Sequence, residues 1–495
     1  MRPFLLVTAA VLAASTALPA LAQSAPALTE PRDWGATLAA DARALHDIMA
    51  DSHPGSFDPL NPEFRPRLDR GLDEALERAR TADSVGGWWW ALRAYVAGFE
   101  DGHVQIGLKD QTYGFPTRWP GFLTVYRGAD QVVADRDAAD LSAPPLGARL
   151  IDCDGVGAET LAADRVGRFQ GRWFLEAQRA RHGDSLFLNP SNPWIGEMRQ
   201  CRFEVEGQAR AYDLAWRAAP DDLRTRRARL GQRAATDFAM TRLQDGGVWI
   251  SAPSFNGDPA ARPHARLTAI IGQMTDDQDG LRAAPYVVFD LRGNGGGSSH
   301  WSVEMARALW GQAWIDAHPE PGSDAVDWRT SDDNLKAIEE FRDSQRDGGD
   351  PELLAWAQNA VDGMTAARAE GRPYWRQQND EAAPAAAPVA ATDPLAGPVY
   401  VLTDAGCASA CLDAVDLWKS LGAVQIGRET SADTVYMEIR GDELPSGLAR
   451  IGVPMKVYRG RPRGNNEPQR PTHLYDGDMA DDAALQAFVR DLAAD

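Results

Sequence analysis

Two segments combine residue types that could carry out acyl-transfer chemistry, and each directly follows a hydrophobic stretch. Residues 290–297 read Asp-Leu-Arg-Gly-Asn-Gly-Gly-Gly, and consecutive glycines let backbone N–H groups approach a phosphate or a developing oxyanion. Residues 403–411 carry Ser409 just before an amphipathic run. A serine at such a place is either a helix cap or a nucleophile beside the positive end of the helix. Each segment alone also fits a structural turn.

A nucleophilic serine needs a base, and the basic residues of this chain restrict the choice. Only four of the 51 lysines and arginines are lysines: Lys109, Lys336, Lys419 and Lys456. Lys419 shares the predicted helix after Ser409 and points away from it by helical phase, so a histidine base is favoured. Among eight histidines, His103 follows Asp101-Gly102 at a turn that enters an alternating strand. His300, close to the glycine segment, is the alternative.

Three kinds of pattern position these residues along the chain. Residues 28–115 show helical spacing of apolar residues and predict an N-terminal helical domain. Residues 116–218 contain short strand-like runs between Gly, Asp and Pro turns, which predicts a β-rich module. Residues 230–495 alternate buried strands with helices, which predicts an α/β domain with a largely parallel sheet. A polar helical and Ala/Pro-rich insertion at about 320–398 is either a flap over the site or a surface excursion.

The first 22 residues have the features of a secretory signal peptide. An apolar stretch follows Arg2, and Ala20-Leu21-Ala22 forms a cleavage pattern before Gln23. A transmembrane anchor is the alternative, but the stretch is short for a span and rich in small residues. We therefore expect a periplasmic or secreted protein with no stable membrane span after cleavage.

An oxidising compartment would allow the four cysteines to form disulfides. Three full pairings of Cys153, Cys201, Cys407 and Cys411 exist, and we favour the local pairs 153–201 and 407–411 over free thiols. No cysteine spacing indicates a metal site. The formal charge of −20 and the absence of a basic run argue against a nucleic-acid partner. Length and ordinary globular composition exclude a small stapled peptide and a disordered chain.

Taken together, these segments resemble the S41 peptidases, the family of tail-specific (C-terminal processing) proteases and the tricorn core protease. The resemblance spans most of the chain from about residue 95 onward and is carried by residues 101–103, 248–250, 254–255, 290–297, 408–410 and 427–430. It implies a crotonase-like α/β core and a PDZ-like identity for residues 116–218. It also implies a peptide or protein substrate and no cofactor or metal.

The two branches of that family differ in their base, and the chain resembles the histidine-dependent, tricorn-like branch. The processing proteases use a lysine that would fall near residues 433–434, where none is present. The resemblance therefore implies Ser409 as nucleophile, His103 as base and Glu467 as the carboxylate that orients it. The amides of Gly295 or Gly296, together with that of Ala410, would bind the oxyanion. The residue types leave two alternatives: a non-catalytic protein that binds a peptide or apolar ligand on the same scaffold, and an esterase.

Overall fold

The computed structural model describes residues 28–127, 129–230, 237–319, 323–346, 349–377 and 392–494. Its contacts divide the chain into two compact units. We call residues 28–230 with 440–454 the N-terminal unit, and residues 237–439 with 455–494 the C-terminal unit. The predicted signal peptide lies outside the described residues, as does most of the Ala/Pro-rich part of the insertion. Both the predicted helical domain and the β-rich module fall in the N-terminal unit.

The N-terminal unit begins with three helices, as the apolar spacing predicts: α1 (Trp34–Ser52), α2 (Phe64–Ala79) and α3 (Val85–Ala97). The Asp33 side chain accepts a hydrogen bond from Ala36 N at the start of α1, which satisfies one of the unpaired N–H groups of the first turn. Trp88 is fully buried and its indole N–H donates to Asp41 at 2.8 Å. The tryptophan run at 88–90 therefore serves packing at this position.

The β-rich part of this unit contains short strands, as the strand-like runs of residues 116–218 predict. The strands before it and within it are β1 (Gln105–Leu108), β2 (Arg118–Trp119), β3 (Phe122–Arg127), β4 (Asp130–Arg136), β5 (Arg149–Cys153), β6 (Val156–Gly157), β7 (Gln200–Val205), β8 (Gln208–Asp213) and β9 (Arg217–Ala218). One sheet has the order β3-β4-β5-β7-β8, with β6 beside β5, and β2 pairs with β9. The PDZ-like identity of this part stays a prediction.

Short helices connect these strands, and a disulfide joins strands β5 and β7. The helices are α4 (Ala158–Ala162), α5 (Arg168–Gln170), α6 (Glu176–His182) and α7 (Leu223–Leu230), with 3-10 turns at Pro54–Phe57 and Gly183–Ser185 and a π-helical turn at Ala163–Gly167. Cys153 and Cys201 lie opposite each other on β5 and β7 and are bonded. This is one of the two pairings that the sequence favoured.

The C-terminal unit contains the predicted parallel sheet. Its first elements are β10 (Ala239–Arg242), β11 (Val248–Ser251), α8 (Arg262–Asp276), α9 (Gln278–Arg282), β12 (Val287–Asp290), α10 (His300–Leu309) and α11 (Gln312–Ala317). The insertion follows, with β13 (Ala325–Arg329), α12 (Asp332–Arg346), α13 (Pro351–Ala369) and β14 (Tyr374–Gln377). The remaining elements are β15 (Val399–Thr403), α14 (Ala410–Ser420), β16 (Val424–Gly427), β17 (Tyr436–Glu443), β18 (Ala449–Arg459), β19 (His473–Leu474) and α15 (Asp482–Ala494).

The sheet order β10-β11-β12-β15-β16-β19 brings the two candidate chemical segments to neighbouring strands. Within this sheet β11, β12, β15, β16 and β19 pair in parallel, and β10 pairs antiparallel with β11 at one edge. Buried side chains from α8, α10 and α14 pack with those of the sheet in one cluster that includes Ile250, Phe289, Met305 and Trp418. The α/β prediction for this region is confirmed.

The insertion differs from the prediction because it is not helical throughout. It opens with β13 and closes with β14, which pair antiparallel with Trp328 opposite Trp375. On its other side β13 pairs with residues 456–459 of β18. Trp328 is fully buried against α12 and α13, so a hydrophobic strand core replaces the solvated surface that the polar composition suggested.

Strand β18 changes unit along its length. Its first residues, 449–452, pair antiparallel with β1 in the N-terminal unit, and its last residues pair with β13 in the C-terminal unit. Strand β17 also pairs with β18. Across the described part of the chain, no helix has both the length and the apolar character required to cross a membrane.

Candidate active site

The glycine segment and the serine segment meet because their preceding strands are neighbours. Strands β12 and β15 run parallel with Asp290 opposite Leu402. The loops that leave the carboxyl ends of adjacent parallel strands lie at one edge of the sheet, where α/β proteins place their ligands. The segment that follows β12 leads into α10, and the segment that follows β15 leads into α14.

Hydrogen bonds join these two loops. Asp404 Oδ1 accepts from the backbone N of Gly293 at 2.9 Å and from that of Gly406 at 2.8 Å. The carbonyl of Asn294 accepts from Ala408 N at 3.2 Å. Burial raises the pKa of Asp404, and the two N–H donors offset part of that effect. A single carboxyl group thus fixes the glycine loop to the loop that carries Ser409.

Gly296 provides the closest approach between the two loops. Its φ is 92°, and a Cβ placed there would lie 2.5 Å from the carbonyl oxygen of Ala408 and 2.8 Å from Cβ of Ser409. Both distances are shorter than van der Waals contact, so no larger residue fits without displacing the serine. The neighbouring backbone is held as well, because Phe255 N donates to the carbonyl of Gly296 at 3.0 Å.

Ser409 sits at the residue before α14 in a strained backbone conformation. Its φ is 55° and its ψ is −125°, a region that non-glycine residues occupy at a cost of about 1–3 kcal/mol and mostly at functional sites. Its side chain makes no capping hydrogen bond, and no contact of its hydroxyl with another described residue is a hydrogen bond. The residue is partly exposed. A helix cap therefore does not explain this serine, whose backbone forms a sharp strand-to-helix turn.

A disulfide encloses the serine. Cys407 and Cys411 are bonded across four residues, and both are fully buried. This is the second pairing that the sequence favoured, and no described cysteine is free. Because the bond closes a small ring around Ser409, it restricts the dihedral angles through which the strained turn could relax.

The backbone N–H groups near Ser409 that have no acceptor among the residues described include two that the resemblance implied. They belong to Ala410, the first residue of α14, and to Gly295 in the glycine loop. The N–H of Gly296 is already used, because it donates to Asn294 Oδ1 at 2.8 Å. Of the two glycine amides that the resemblance implied, that of Gly295 is thus the available one.

Glu467 lies in a loop that is fixed to the helix carrying Ser409. Its carboxylate accepts from Gly464 N at 2.8 Å within that loop. Arg463, at the start of the loop, donates to Asp413 at 3.0 Å and to Asp416 at 2.8 Å on α14, and it also binds Asp433. Burial raises the pKa values of Asp413 and Asp416 despite the charge of Arg463. This buried charge cluster orients the loop relative to α14.

The four lysines have other partners. Lys456 is buried, lies 3.3 Å from Glu438 and contacts the ring of Trp328. Although burial lowers its pKa, the charges of Tyr458 and Glu438 raise it above its ordinary value, whereas a lysine base needs a lowered pKa. Lys419 donates to Gln469 at 2.9 Å. The remaining two face Glu443 and Glu340. These contacts agree with the preference for a histidine base.

His103 belongs to the N-terminal unit, at the turn before β1. Its backbone N donates to Asp101 Oδ1 at 2.8 Å, and its ring nitrogen Nδ1 lies 3.7 Å from the same oxygen. Only 11% of its side chain is exposed. Asp101 in turn lies 3.9 Å from Nε2 of the fully buried His53. His300 is exposed at the start of α10, with its ring centroid 5.5 Å from that of Trp301.

Several residues of this site had no role in the sequence interpretation. Asp404 follows β15 directly. The signal available in the sequence was a carboxylate that precedes a glycine at the end of a predicted strand. Asn294 was visible inside the glycine segment, but its bonds to Ala252 and Gly296 needed coordinates. Asp101 was part of the motif that drew attention to His103. Within the described ranges, no group of three or more His, Cys, Asp or Glu side chains is arranged to hold a metal ion.

In this site a strained serine lies at the carboxyl edge of a parallel sheet, beside backbone N–H groups that have no acceptor among the described residues. This arrangement is typical of serine hydrolases. Residues 250–459 match the family model described as Peptidase family S41. Over these residues the chain is of the S41 serine-peptidase type, with the corresponding α/β fold. Among curated protein sequences, none matches this chain significantly.

Two solved structures of mature CPAF share the fold at low sequence identity. Mature CPAF aligns over 93% of this chain and 97% of its own length, with 12% identity and a TM-score of 0.57. Mature CPAF complexed with lactacystin aligns over 93% of this chain and 99% of its own length, with 12% identity and a TM-score of 0.58. A putative peptidase from Parabacteroides merdae covers 92% of this chain and 97% of its own length, with 12% identity and a TM-score of 0.38.

Proposed function

We propose that this protein is a secreted or periplasmic peptidase that hydrolyses peptide bonds with Ser409 as nucleophile and His103 as general base. The observation that carries the proposal is the conformation of Ser409. Ser409 has a positive φ and lies inside a buried disulfide ring at the start of a helix, and its hydroxyl forms no hydrogen bond with any described residue. A purely structural turn would not need this strain.

The proposed chemistry follows from these groups. His103 takes the proton of the Ser409 hydroxyl while Oγ bonds to the peptide carbonyl carbon, and the carbonyl oxygen becomes an oxyanion. The N–H groups of Gly295 and Ala410 stabilise that charge. The C–N bond then breaks as protonated His103 gives its proton to the leaving amine. Water, deprotonated by the same imidazole, hydrolyses the acyl-enzyme and restores Ser409.

The cellular location is part of the proposal and rests on the signal-peptide pattern of residues 1–22. Two structural disulfides support it, because such bonds persist in oxidising compartments. N-terminal sequencing of the exported protein should give Gln23 as the first residue. An exported chain that retains Met1 would contradict cleavage.

The catalytic proposal is tested by the variants Ser409→Ala and His103→Ala, assayed on an unfolded protein substrate. Removal of a nucleophile or its base from a serine peptidase costs several orders of magnitude in kcat. We expect a loss of at least about 1,000-fold for each variant, with unchanged thermal unfolding.

Two matched variants serve as controls. Ser420→Ala removes a serine at the other end of α14, where the hydroxyl donates to the carbonyl of Leu417, and should retain activity. His300→Ala removes the competing histidine beside the glycine segment and should also retain activity. Full activity of Ser409→Ala would refute the nucleophile. Full activity of His103→Ala with loss in His300→Ala would transfer the base to His300.

A further inference from the structure

We propose that Asp101, itself supported by His53, positions the ring of His103 and determines which ring nitrogen carries the proton. Asp101 is thus a positioning residue for the general base. The inference rests on the proposed function of His103, but it concerns residues for which the family resemblance implies no role. It is carried by the arrangement of three buried side chains in the N-terminal unit.

The first part of the arrangement is the contact between Asp101 and His103. Asp101 Oδ1 accepts the backbone N–H of His103 at 2.8 Å, which fixes the turn. The same oxygen lies 3.7 Å from Nδ1 of the ring. Nδ1 is buried and makes no hydrogen bond to any described residue. A proton on Nδ1 therefore faces a carboxylate, and the lone pair is left on Nε2, the nitrogen that would accept the serine proton.

The second part is the support of Asp101 by His53. Gly55 N donates to Nδ1 of His53 at 2.9 Å, so the proton of the neutral ring is on Nε2. Nε2 lies 3.9 Å from Asp101 Oδ2. The His53 ring is fixed by stacking on Phe64, with centroids 4.4 Å apart and planes 15° from parallel. Each oxygen of Asp101 thus faces one imidazole.

The charges of the cluster are consistent with this arrangement. Burial raises the pKa of Asp101, but its interactions with His53 and His103 outweigh that effect, so the pKa falls below its ordinary value. Burial lowers the pKa of His53, although Asp101 and Asp58 oppose that effect. An ionised Asp101 and a neutral His53 result. Arg172 completes the surroundings, since its guanidinium lies against Gly102.

This arrangement has a chemical consequence. When His103 takes the serine proton it becomes an imidazolium, and a neighbouring buried carboxylate stabilises that charge. The carboxylate also disfavours the tautomer with the proton on Nε2, which could not act as a base. The family resemblance gives this role to Glu467. The contacts within the N-terminal unit assign the orientation of Nδ1 to Asp101.

The primary test is Asp101→Asn, a variant whose side-chain oxygen can still accept the His103 backbone N–H. We expect kcat to fall by on the order of 100- to 10,000-fold, with KM little changed, because the wrong tautomer becomes favoured. Unchanged kcat would overturn the inference.

A measurement on the unmodified protein keeps the test independent of the folding of the variant. Nitrogen-15 NMR of the histidine side chains distinguishes the two neutral tautomers of a ring. We expect the proton of neutral His103 on Nδ1 in the wild type and on Nε2 in Asp101→Asn. A proton on Nε2 in the wild type would overturn the inference, and a merely structural Asp101 would leave the tautomer unchanged in the variant.

Two variants of His53 separate its two contacts. His53→Gln places an amide near the position of Nε2 and keeps a donor to Asp101, while His53→Asn keeps an acceptor for Gly55 N and loses that donor. We expect His53→Asn to reduce kcat about tenfold more than His53→Gln does. Equal kcat values for the two variants would contradict the supporting role of His53.

The variants also separate this inference from the proposed function. Full activity of His103→Ala would refute the base itself. Loss of activity in His103→Ala, together with wild-type kcat and tautomer in Asp101→Asn, would refute only the role of Asp101. A tautomer change in Glu467→Gln but not in Asp101→Asn would give the orienting role to Glu467 and overturn the inference.

Discussion

Ser409 and Gly296 depend on each other for their geometry. The serine adopts a conformation with φ of 55°, and the glycine lies so close that a methyl group would contact Cβ of the serine at 2.8 Å. The strained turn is stable because bonds around it remove its freedom to relax. These bonds come from Asp404, from the carbonyl of Asn294 and from the Cys407–Cys411 disulfide.

Gly296→Ala should therefore abolish most activity. The added Cβ would lie 2.5 Å from the Ala408 carbonyl oxygen, and a displacement of the serine by about 1 Å can cost about 100-fold in rate. Gly293→Ala is the matched control, because Gly293 also has a positive φ, of 75°, but has nothing within 4 Å of the added Cβ. Kinetic assays of both variants check this expectation. Equal losses of activity in the two variants would show that the loss comes from backbone strain at a positive φ, and not from the clash of the added Cβ with the serine loop.

The buried histidine behind Asp101 predicts a pH dependence of stability. The pKa of His53 is lowered by folding from 6.5, so the unfolded chain binds its proton more tightly than the folded chain does. The contribution of neutral His53 to the free energy of unfolding is fully present above about pH 6.5. This contribution is lost as the pH falls toward the pKa of His53 in the folded protein, by up to about 1.4 kcal/mol for each unit of pH.

Denaturant unfolding between about pH 5 and 8 measures this effect. The free energy of unfolding should fall toward acid pH in the wild type and fall less steeply in His53→Asn, which has no titratable group at that position. Asp101 adds a loss of stability only at more acidic pH, because its pKa is lowered from 3.8. Identical slopes for the two proteins would contradict a neutral, buried His53.

At the residue scale, the sequence identified residues that stand in motifs. Ser409, His103 and the glycine loop were found because glycine turns and strand ends are visible in the order of residues. Asp404 and His53 were not found, since their partners are 111 residues and 48 residues away in the chain. A carboxylate that bonds distant backbone N–H groups has no local signature.

At the scale of elements, the parallel strands and the helices after them were predictable because each is a long apolar run or an amphipathic repeat. The insertion was not. Its polar residues indicated a helical excursion, but Val326 and Trp328 lie buried in β13, which pairs with a strand more than 120 residues later. Strand pairing at that separation depends on tertiary contacts that composition does not reveal.

The loop that carries Glu467 provides an element-scale prediction. Arg463 is buried among Asp413, Asp416 and Asp433, and removal of the cation from such a cluster leaves uncompensated buried charge. Arg463→Met should lower the free energy of unfolding by about 3–5 kcal/mol. Arg470→Met removes an exposed arginine that pairs with Glu429, and should cost less than about 1 kcal/mol. Denaturant unfolding compares them, and similar small losses would contradict a stabilising cluster.

At the scale of the whole molecule, the chain forms two units, each with one disulfide. The Cys153–Cys201 bond closes a loop across 48 residues within the N-terminal unit, and the Cys407–Cys411 bond closes one across four residues in the C-terminal unit. The entropy of loop closure grows with length, so the expected contributions to stability are about 4 and about 2 kcal/mol. The shorter bond, however, encloses the serine.

Removal of each disulfide should therefore have opposite consequences for stability and activity. The double variant Cys153→Ala/Cys201→Ala should lose more stability and retain the rate constant of the folded enzyme. The double variant Cys407→Ala/Cys411→Ala should lose less stability and most of its kcat. Thermal unfolding and kinetics of the folded fraction measure the two effects. A wild-type kcat in the second variant would show that the bond does not hold the serine turn.

The two units differ in how well the sequence could assign their candidate residues. Ser409 and the glycine loop follow adjacent strands of one sheet, so parallel topology alone predicts that they meet. His103 and its carboxylate neighbour belong to the other unit, where helices and a turn position them. No local pattern encodes that arrangement, and the sequence supported His103 only through its glycine turn and the family resemblance.

The most direct test of the central claim is labelling with an active-site-directed peptidyl phosphonate, followed by peptide mapping. Such a reagent bonds covalently to an activated serine. The account predicts one modified peptide, with the phosphonate on Ser409, and no labelling of Ser409→Ala. Modification of a different residue, or equal labelling of the variant, would contradict the assignment of Ser409 as the nucleophile.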